Sequence, residues 1–217
     1  MIIDDEPIAR EAIAEYCSEF SFLNIVALCK NVLQANQHLQ IHKVDLIFLD
    51  INMPLVSGID WLKDLQDSPL IIMTTAYSEY ALESFSYDVI DYLVKPISFE
   101  RFLQSINKVN RYIGSETSKD VLFIKSEKQL KKVRIDSILF IEAMQNYIKI
   151  ITEEQFITAH MSLKTMKELL PDDFIQTHKS YIVSKYKVDE IEGNEIIIRN
   201  YKIPISVRLK KEVLSNF

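Results

Sequence analysis

Glycine is nearly missing from this sequence. Only Gly58, Gly114 and Gly193 occur in 217 residues, where average usage of about 7% would give about fifteen. Three scattered glycines cannot write a Gly-rich phosphate loop or a GxGxxG turn. That removes the usual support for nucleotide hydrolases and dinucleotide-binding oxidoreductases. Cysteine is as scarce. Cys17 and Cys29 make neither a metal cluster nor a disulfide framework, which points to a reducing, cytoplasmic setting. No apolar run approaches the ~20 residues that cross a bilayer. The opening MIIDDEP carries no basic stretch of the signal-peptide kind, so no membrane is expected.

What is present is a chain that is 48% hydrophobic and 26% charged, with enough apolar material for one large domain or two small ones. Charge divides it. Residues 1–118 hold 8 Lys/Arg against 17 Asp/Glu, a net of −9, and residues 119–217 hold 17 against 14, a net of +3. An acidic half joined to a mildly basic half suits a regulatory module beside a polyanion-binding one, although chance and solubility produce the same numbers.

In the first half, apolar runs at Met1–Ile3, Ile25–Leu28, Leu46–Leu49, Leu70–Met73 and Tyr92–Val94 alternate with helical spacing. Examples of that spacing are Ile8, Ala12, Ile13, Tyr16 and, later, Phe99, Phe102, Leu103, Ile106, Val109. Five such β/α repeats predict a parallel, doubly wound sheet with its polar site at the carboxyl ends of the strands. The small, polar stretch 114–119 reads as a linker. In the second half, strands follow one another directly: Val121–Lys125, Leu130–Arg134, Ile138–Glu142, Tyr147–Thr152 and Phe156–Ala159. A helix over Leu163–Leu170, capped by Ser162 and followed by Pro171, comes next. Strands at Tyr181–Val183, Val188–Ile191, Glu195–Arg199 and Tyr201–Ile205 follow, with Gly193–Asn194 as a hairpin turn. A helix over about Val207–Leu214 closes the chain.

Asp4 and Asp5 end the first strand and Asp50 ends the third. Adjacent strand ends lie ~5 Å apart, so the three carboxylates converge. Clustered carboxylates repel one another unless a cation sits among them, and Mg²⁺, which takes hard oxygen ligands, suits such a site. The alternative is a set of solvated strand-end acids. Thr75 and Lys95 end two further strands and add a hydroxyl and an ammonium. These are the parts of phosphoryl transfer, with Asp50 as the nucleophile.

The stretches DDEP (4–7), LIFLDINMP (46–54) with Gly58 eight residues after Asp50, TTA (74–76) and YLVKP (92–96) resemble the receiver domain of two-component response regulators. The resemblance implies a flavodoxin-like five-stranded sheet with Asp50 as phospho-acceptor. It implies Mg²⁺ on Asp4, Asp5, Asp50 and the main-chain carbonyl of Asn52, with Thr75 and Lys95 on the phosphoryl group. It also implies Tyr92 as the switch aromatic and a cis Lys95–Pro96 bond. Receiver domains carry a longer first strand than Met1–Ile3. Either the chain is truncated there or the strand is very short, which would loosen the metal site.

In the second half there is no helix-turn-helix, zinc-ligand or basic-zipper pattern, and composition leaves nucleic-acid and protein binding both open. The stretches IDSILFIEAMQNYIKI (135–150), SLKTMKELLP (162–171), FIQTHKSYIV (174–183) and IPISVRLKKEV (203–213) resemble the LytTR-type DNA-binding domain of LytR/AlgR regulators. That family folds mostly as antiparallel strands and reads DNA from loops. By position, the resemblance puts Asn146 and Tyr147 in a major groove, Lys179 on the intervening minor groove or its phosphates, and Arg208 in a second major groove. Lys149, Lys210 and Lys211 fall on phosphates. His178 is read as a buttress of the fold. Ser184 stands where the family often has Asn.

Together these readings give a receiver at 1–112, a linker at 113–119 and a mainly-β DNA-binding domain at 120–217. The expected protein is a cytoplasmic, phosphorylation-controlled regulator of transcription and not an enzyme. A sensor histidine kinase would phosphorylate it with Mg²⁺ bound. Tyr92 and the helices around Ser78–Ser86 and Ser98–Tyr112 would then repack. A homodimer would form on double-stranded DNA carrying direct repeats or half-sites. The competing readings are a protein-binding output module and a Mg²⁺-dependent phosphohydrolase.

Overall fold

The computed structural model describes residues 1–65, 69–77, 89–113, 121–127 and 129–217. The chain divides into two compact units, Met1–Gly114 and Ser115–Phe217. The helix expected around Ser78–Ser86, and all of the expected linker but its first residue, fall outside the described residues.

In the first unit, strands β1 (Ile2–Ile3), β2 (Leu28–Cys29), β3 (Leu46–Asp50), β4 (Leu70–Thr75) and β5 (Asp91–Val94) form one parallel sheet. Its order is β2-β1-β3-β4-β5. Strand order reverses at β1 and β3, and a crevice opens there at the carboxyl ends. All five residues of β3 are buried, as a parallel strand covered on both faces requires. The helix Pro7–Ser18 opens with Pro7 in its first turn, where the missing N–H costs no hydrogen bond. The helices Val32–Leu39 and Gly58–Asp64 are capped by the side chains of Asn31 and Ser57. The helix Phe99–Ile113 buries Phe102, Leu103, Ile106 and Val109, as their spacing predicts. The Phe102 ring lies 5.4 Å from those of Phe48 and Tyr16.

Two local expectations fail in this unit. Ile8 is 82% exposed, so of the expected face the first helix fully buries Ile13, together with Cys17. Ile25 and Val26, expected in β2, lie outside it on the surface, and pairing begins at Leu28. β2 is an edge strand, paired on one side only, and apolarity marks such a strand poorly.

The second unit centres on an antiparallel sheet of order β10-β9-β8-β12-β11. Its strands are β8 (Ile138–Met144), β9 (Tyr147–Thr152), β10 (Phe156–Ala159), β11 (Phe174–His178) and β12 (Tyr181–Ser184). One face packs Ile141, Ile150 and Ile182 against the hairpin of β6 (Val121–Ser126) and β7 (Gln129–Arg134) and the helix Leu163–Leu169. The other face packs Phe140, Ile151 and Val183 against β13 (Glu190–Glu192), β14 (Glu195–Ile198), β15 (Tyr201–Pro204) and the helix Lys210–Leu214. A register shift between Ile138 and Phe140 acts as a bulge, and Leu139 and Phe140 both join the second core.

Ser162 caps its helix, accepting from the Thr165 N–H at 3.0 Å. The final helix is shorter than expected. It begins at Lys210, and Val207 is 85% exposed ahead of it. Strand β11 was not expected from the sequence, and Val188 precedes β13 instead of starting it.

Candidate functional site

The crevice of the first unit is built from strand ends. β1 delivers Asp4 and Asp5, β3 ends on Asp50, β4 ends on Thr75, and Lys95 follows β5. Asp4, Asp50 and Thr75 are buried and Asp5 is half-buried. One carboxylate oxygen from each of Asp4, Asp5 and Asp50 lies within 4.8 Å of the others. The Lys95 ammonium forms ion pairs with Asp4 at 2.8 Å, Asp50 at 3.1 Å and Glu6 at 3.5 Å. Burial pushes the Asp50 carboxyl up to about 6, and the Asp4 charge adds to this while Lys95 opposes it. Burial also acts to lower Lys95, but its contacts with Asp4 and Asp50 outweigh that and hold it above the ordinary lysine value. Three clustered acids, two of them buried, against one ammonium leave unbalanced negative charge on hard oxygens, and a small divalent cation fits such a donor set.

The surroundings fix these groups. The Glu6 N–H donates to Asp4 Oδ1 at 2.9 Å, and the Arg10 guanidinium donates to the Asp4 carbonyl. The Lys95 N–H donates to the Thr75 carbonyl at 2.7 Å. The Lys95–Pro96 bond is cis. Gly58 packs against the main chain of Asp50, and a Cβ there would stand 2.2 Å from the Asp50 carbonyl oxygen. The Thr75 hydroxyl donates to Asn52 Oδ1 at 3.3 Å and accepts from the Tyr77 N–H at 3.1 Å. Tyr92 is half-buried against the core of the unit. Sequence reasoning missed Glu6 and the side chain of Asn52. Both stand beside residues it chose, and adjacency was the available signal.

In the second unit, the residues singled out for DNA emerge at one end of the sheet. Asn146 lies in the β8–β9 turn and Tyr147 opens β9, Lys179 lies in the β11–β12 turn, and Arg208 follows β15. All four are exposed. The Ala143 N–H donates to the Ser180 carbonyl at 2.8 Å, and the Ser206 N–H donates to the Thr177 carbonyl at 2.8 Å. These bonds tie the three segments together.

Lys211 is exposed, while Lys210 donates to Asn194 Oδ1 at 2.7 Å. The Lys149 ammonium lies 4.3 Å from the centroid of the Phe156 ring. His178 Nδ1 accepts from the Ser180 N–H at 3.3 Å, as a buttress does. The Tyr181 hydroxyl donates to Glu142 Oε1 at 2.6 Å. That bond, with burial behind it, pushes the phenol up to about 12. Among the described residues, no helix is long and apolar enough to cross a membrane.

Comparison with known proteins agrees with both units. Residues 1–107 match the response regulator receiver domain, and residues 128–217 match the LytTr DNA-binding domain. The chain is 29% identical over 231 residues to the sensory transduction protein LytT of Enterococcus faecalis, covering 98% of this chain and 96% of that protein. It is 30% identical over 229 residues to an uncharacterized response regulatory protein of Yersinia pestis, covering 98% and 95%. Among solved structures, the response regulatory domain of mrkE from Klebsiella pneumoniae is 31% identical. That match covers 51% of this chain and 94% of that one, with a TM-score of 0.47.

Proposed function

Because the chain belongs to the response regulators that join a receiver domain to a LytTr DNA-binding domain, we propose that Asp50 is the residue through which phosphorylation controls it. The family consists of DNA-binding regulators of transcription, not enzymes. The observation that carries the assignment is the Lys95 ammonium bridging Asp4 and Asp50 at the mouth of the crevice. Asp4 and Asp50 are both buried beside that cation, and Asp50 is the one that ends the fully buried strand β3 and whose carboxyl burial pushes up to about 6.

Asp4, Asp5, Asp50 and the main-chain carbonyl of Asn52 hold Mg²⁺, which when bound supplies positive charge to the oxygens of an incoming phosphoryl group. Asp50 attacks the phosphorus of a phosphohistidine on a partner sensor kinase, and the histidine leaves. The new group carries about −1.5 to −2 charges by analogy with other phospho-residues. Lys95 remains as its counter-ion. The Thr75 hydroxyl leaves Asn52 and donates to the phosphoryl oxygens, and Tyr92 moves into the space behind it. The repacked face of the receiver favours a homodimer. Residues 113–119 join it to the DNA-binding domain, so pairing two receivers presents two DNA-binding units to paired half-sites. Asn146, Tyr147 and Arg208 read bases, and Lys149, Lys179, Lys210 and Lys211 hold the backbone. The protein works in the cytoplasm.

The test is mass spectrometry after incubation with acetyl phosphate and Mg²⁺. One phosphoryl group per chain, mapped to Asp50 and absent from Asp50→Ala, is expected. Undiminished modification of Asp50→Ala would sink the assignment. Many turnovers of phosphate per chain would favour a hydrolase instead.

A further inference from the structure

Tyr181 opens β12 directly after the turn that carries Lys179, and Glu142 lies on β8 just ahead of the turn that carries Asn146. The two residues face each other across the β8–β12 pair. The Tyr181 hydroxyl reaches Glu142 Oε1 at 2.6 Å, within the range of a charge-assisted O–H···O⁻ bond. The ring is held from two sides, 6.0 Å from His178 and 6.4 Å from Phe140 between centroids. On the far side of β8, Glu142 pairs in register with Lys149, whose ammonium is turned over the Phe156 ring. A carboxylate at the DNA-facing end of a sheet repels phosphate, so it is costly there unless it serves another purpose.

We propose that Tyr181 and Glu142 are positioning residues for DNA recognition, their hydrogen bond setting the spacing of the 145–146 and 178–180 turns so that Asn146 and Lys179 reach the duplex together. The brace touches no DNA itself. It rests on the reading of these turns as the DNA-contacting segments. Its loss should lower sequence-specific affinity without removing any phosphate contact.

The test uses the full chain and a duplex selected by the wild type from a random-sequence pool, with a scrambled duplex as control. Binding is followed by fluorescence anisotropy across a salt series. Tyr181→Phe keeps the ring and removes the hydroxyl. Glu142→Ala removes the acceptor, and Glu142→Gln keeps an oxygen for it. Tyr181→Phe and Glu142→Ala should each weaken binding to the selected duplex roughly tenfold. For Tyr181→Phe, scrambled-duplex affinity, the salt slope and the thermal midpoint should stay unchanged, because no phosphate contact is lost; the Glu142 variants, which also lose a carboxylate that repels phosphate, should hold the scrambled duplex at least as tightly as the wild type. Glu142→Gln should bind the selected duplex at least as tightly as the wild type does, and the double variant Tyr181→Phe/Glu142→Ala should be no worse than either single.

Tyr181→Phe binding like the wild type overturns the brace. So does a shallower salt slope, which would mean direct contact with DNA. Glu142→Gln as weak as Glu142→Ala would assign the effect to charge instead of the hydrogen bond. A lowered midpoint with both duplexes weakened equally would mark the bond as merely structural. A wild type that selects no duplex overturns the DNA-contact reading along with the brace, whereas selection with unaffected variants overturns the brace alone.

Discussion

Asp50 holds its proton more tightly folded than unfolded, since burial and then the Asp4 charge push its carboxyl up to about 6. A raised carboxyl stabilises the fold while protonated, and that contribution is lost as pH rises through about 6. In metal-free buffer, Asp50→Asn should therefore be more stable than the native chain above pH ~6, with the advantage shrinking as pH falls from there toward the ordinary carboxyl value of 3.8; thermal unfolding across pH checks this. Cation binding runs the other way. It needs the ionised carboxyl, so Mg²⁺ affinity measured by calorimetry should fall as pH drops through the same window, and a flat profile would refute the coupling. Gly58 is the second sensitive residue. A Cβ placed 2.2 Å from the Asp50 carbonyl must displace main chain, so Gly58→Ala should destabilise the first unit by about 1–3 kcal/mol. Unchanged denaturant unfolding would show that the loop yields freely.

At the scale of elements, local signals are worth measurable amounts. Ser162 accepts from the Thr165 N–H at the start of the helix Leu163–Leu169, and Ser162→Ala should cost about 1 kcal/mol in urea unfolding. The same local chemistry decides what was legible from sequence. β3 and β4 were plain because buried parallel strands are apolar throughout, and the strand-end acids stood out because charge stops each run. β11 was not legible. Its FIQTH alternates poorly, and Thr177 is fully buried although polar. The closing helix is shorter than the sequence suggests because Val207 looks apolar, whereas the Ser206 N–H is engaged by the Thr177 carbonyl and residues 207–209 form a turn, closed by the Leu209 N–H on the Ser206 carbonyl, before the helix begins at Lys210. The crevice residues were legible by type and position. The Thr75–Asn52 bond was not, because no sequence pattern reports which neighbour a hydroxyl chooses.

The whole molecule divides its charge as it divides its fold, with the acidic crevice in one unit and the exposed Lys179, Arg208 and Lys211 in the other. Arg208→Ala should cost about 1–3 kcal/mol on a specific duplex and relax selectivity at one base position, whereas Lys211→Ala should weaken all duplexes and reduce the salt slope by about one. Equal effects of both changes on specific and scrambled DNA would count against base contact by Arg208. The central sheet of the second unit is sealed on both faces. Ile138 and Ile141 answer to one core, Leu139 and Phe140 to the other. Asn146, Lys179 and Arg208 answer to neither. A substitution within the sheet must therefore fit one of two closed interiors, whereas a substitution at any of the three tips meets only solvent and should leave the unfolding midpoint where it is.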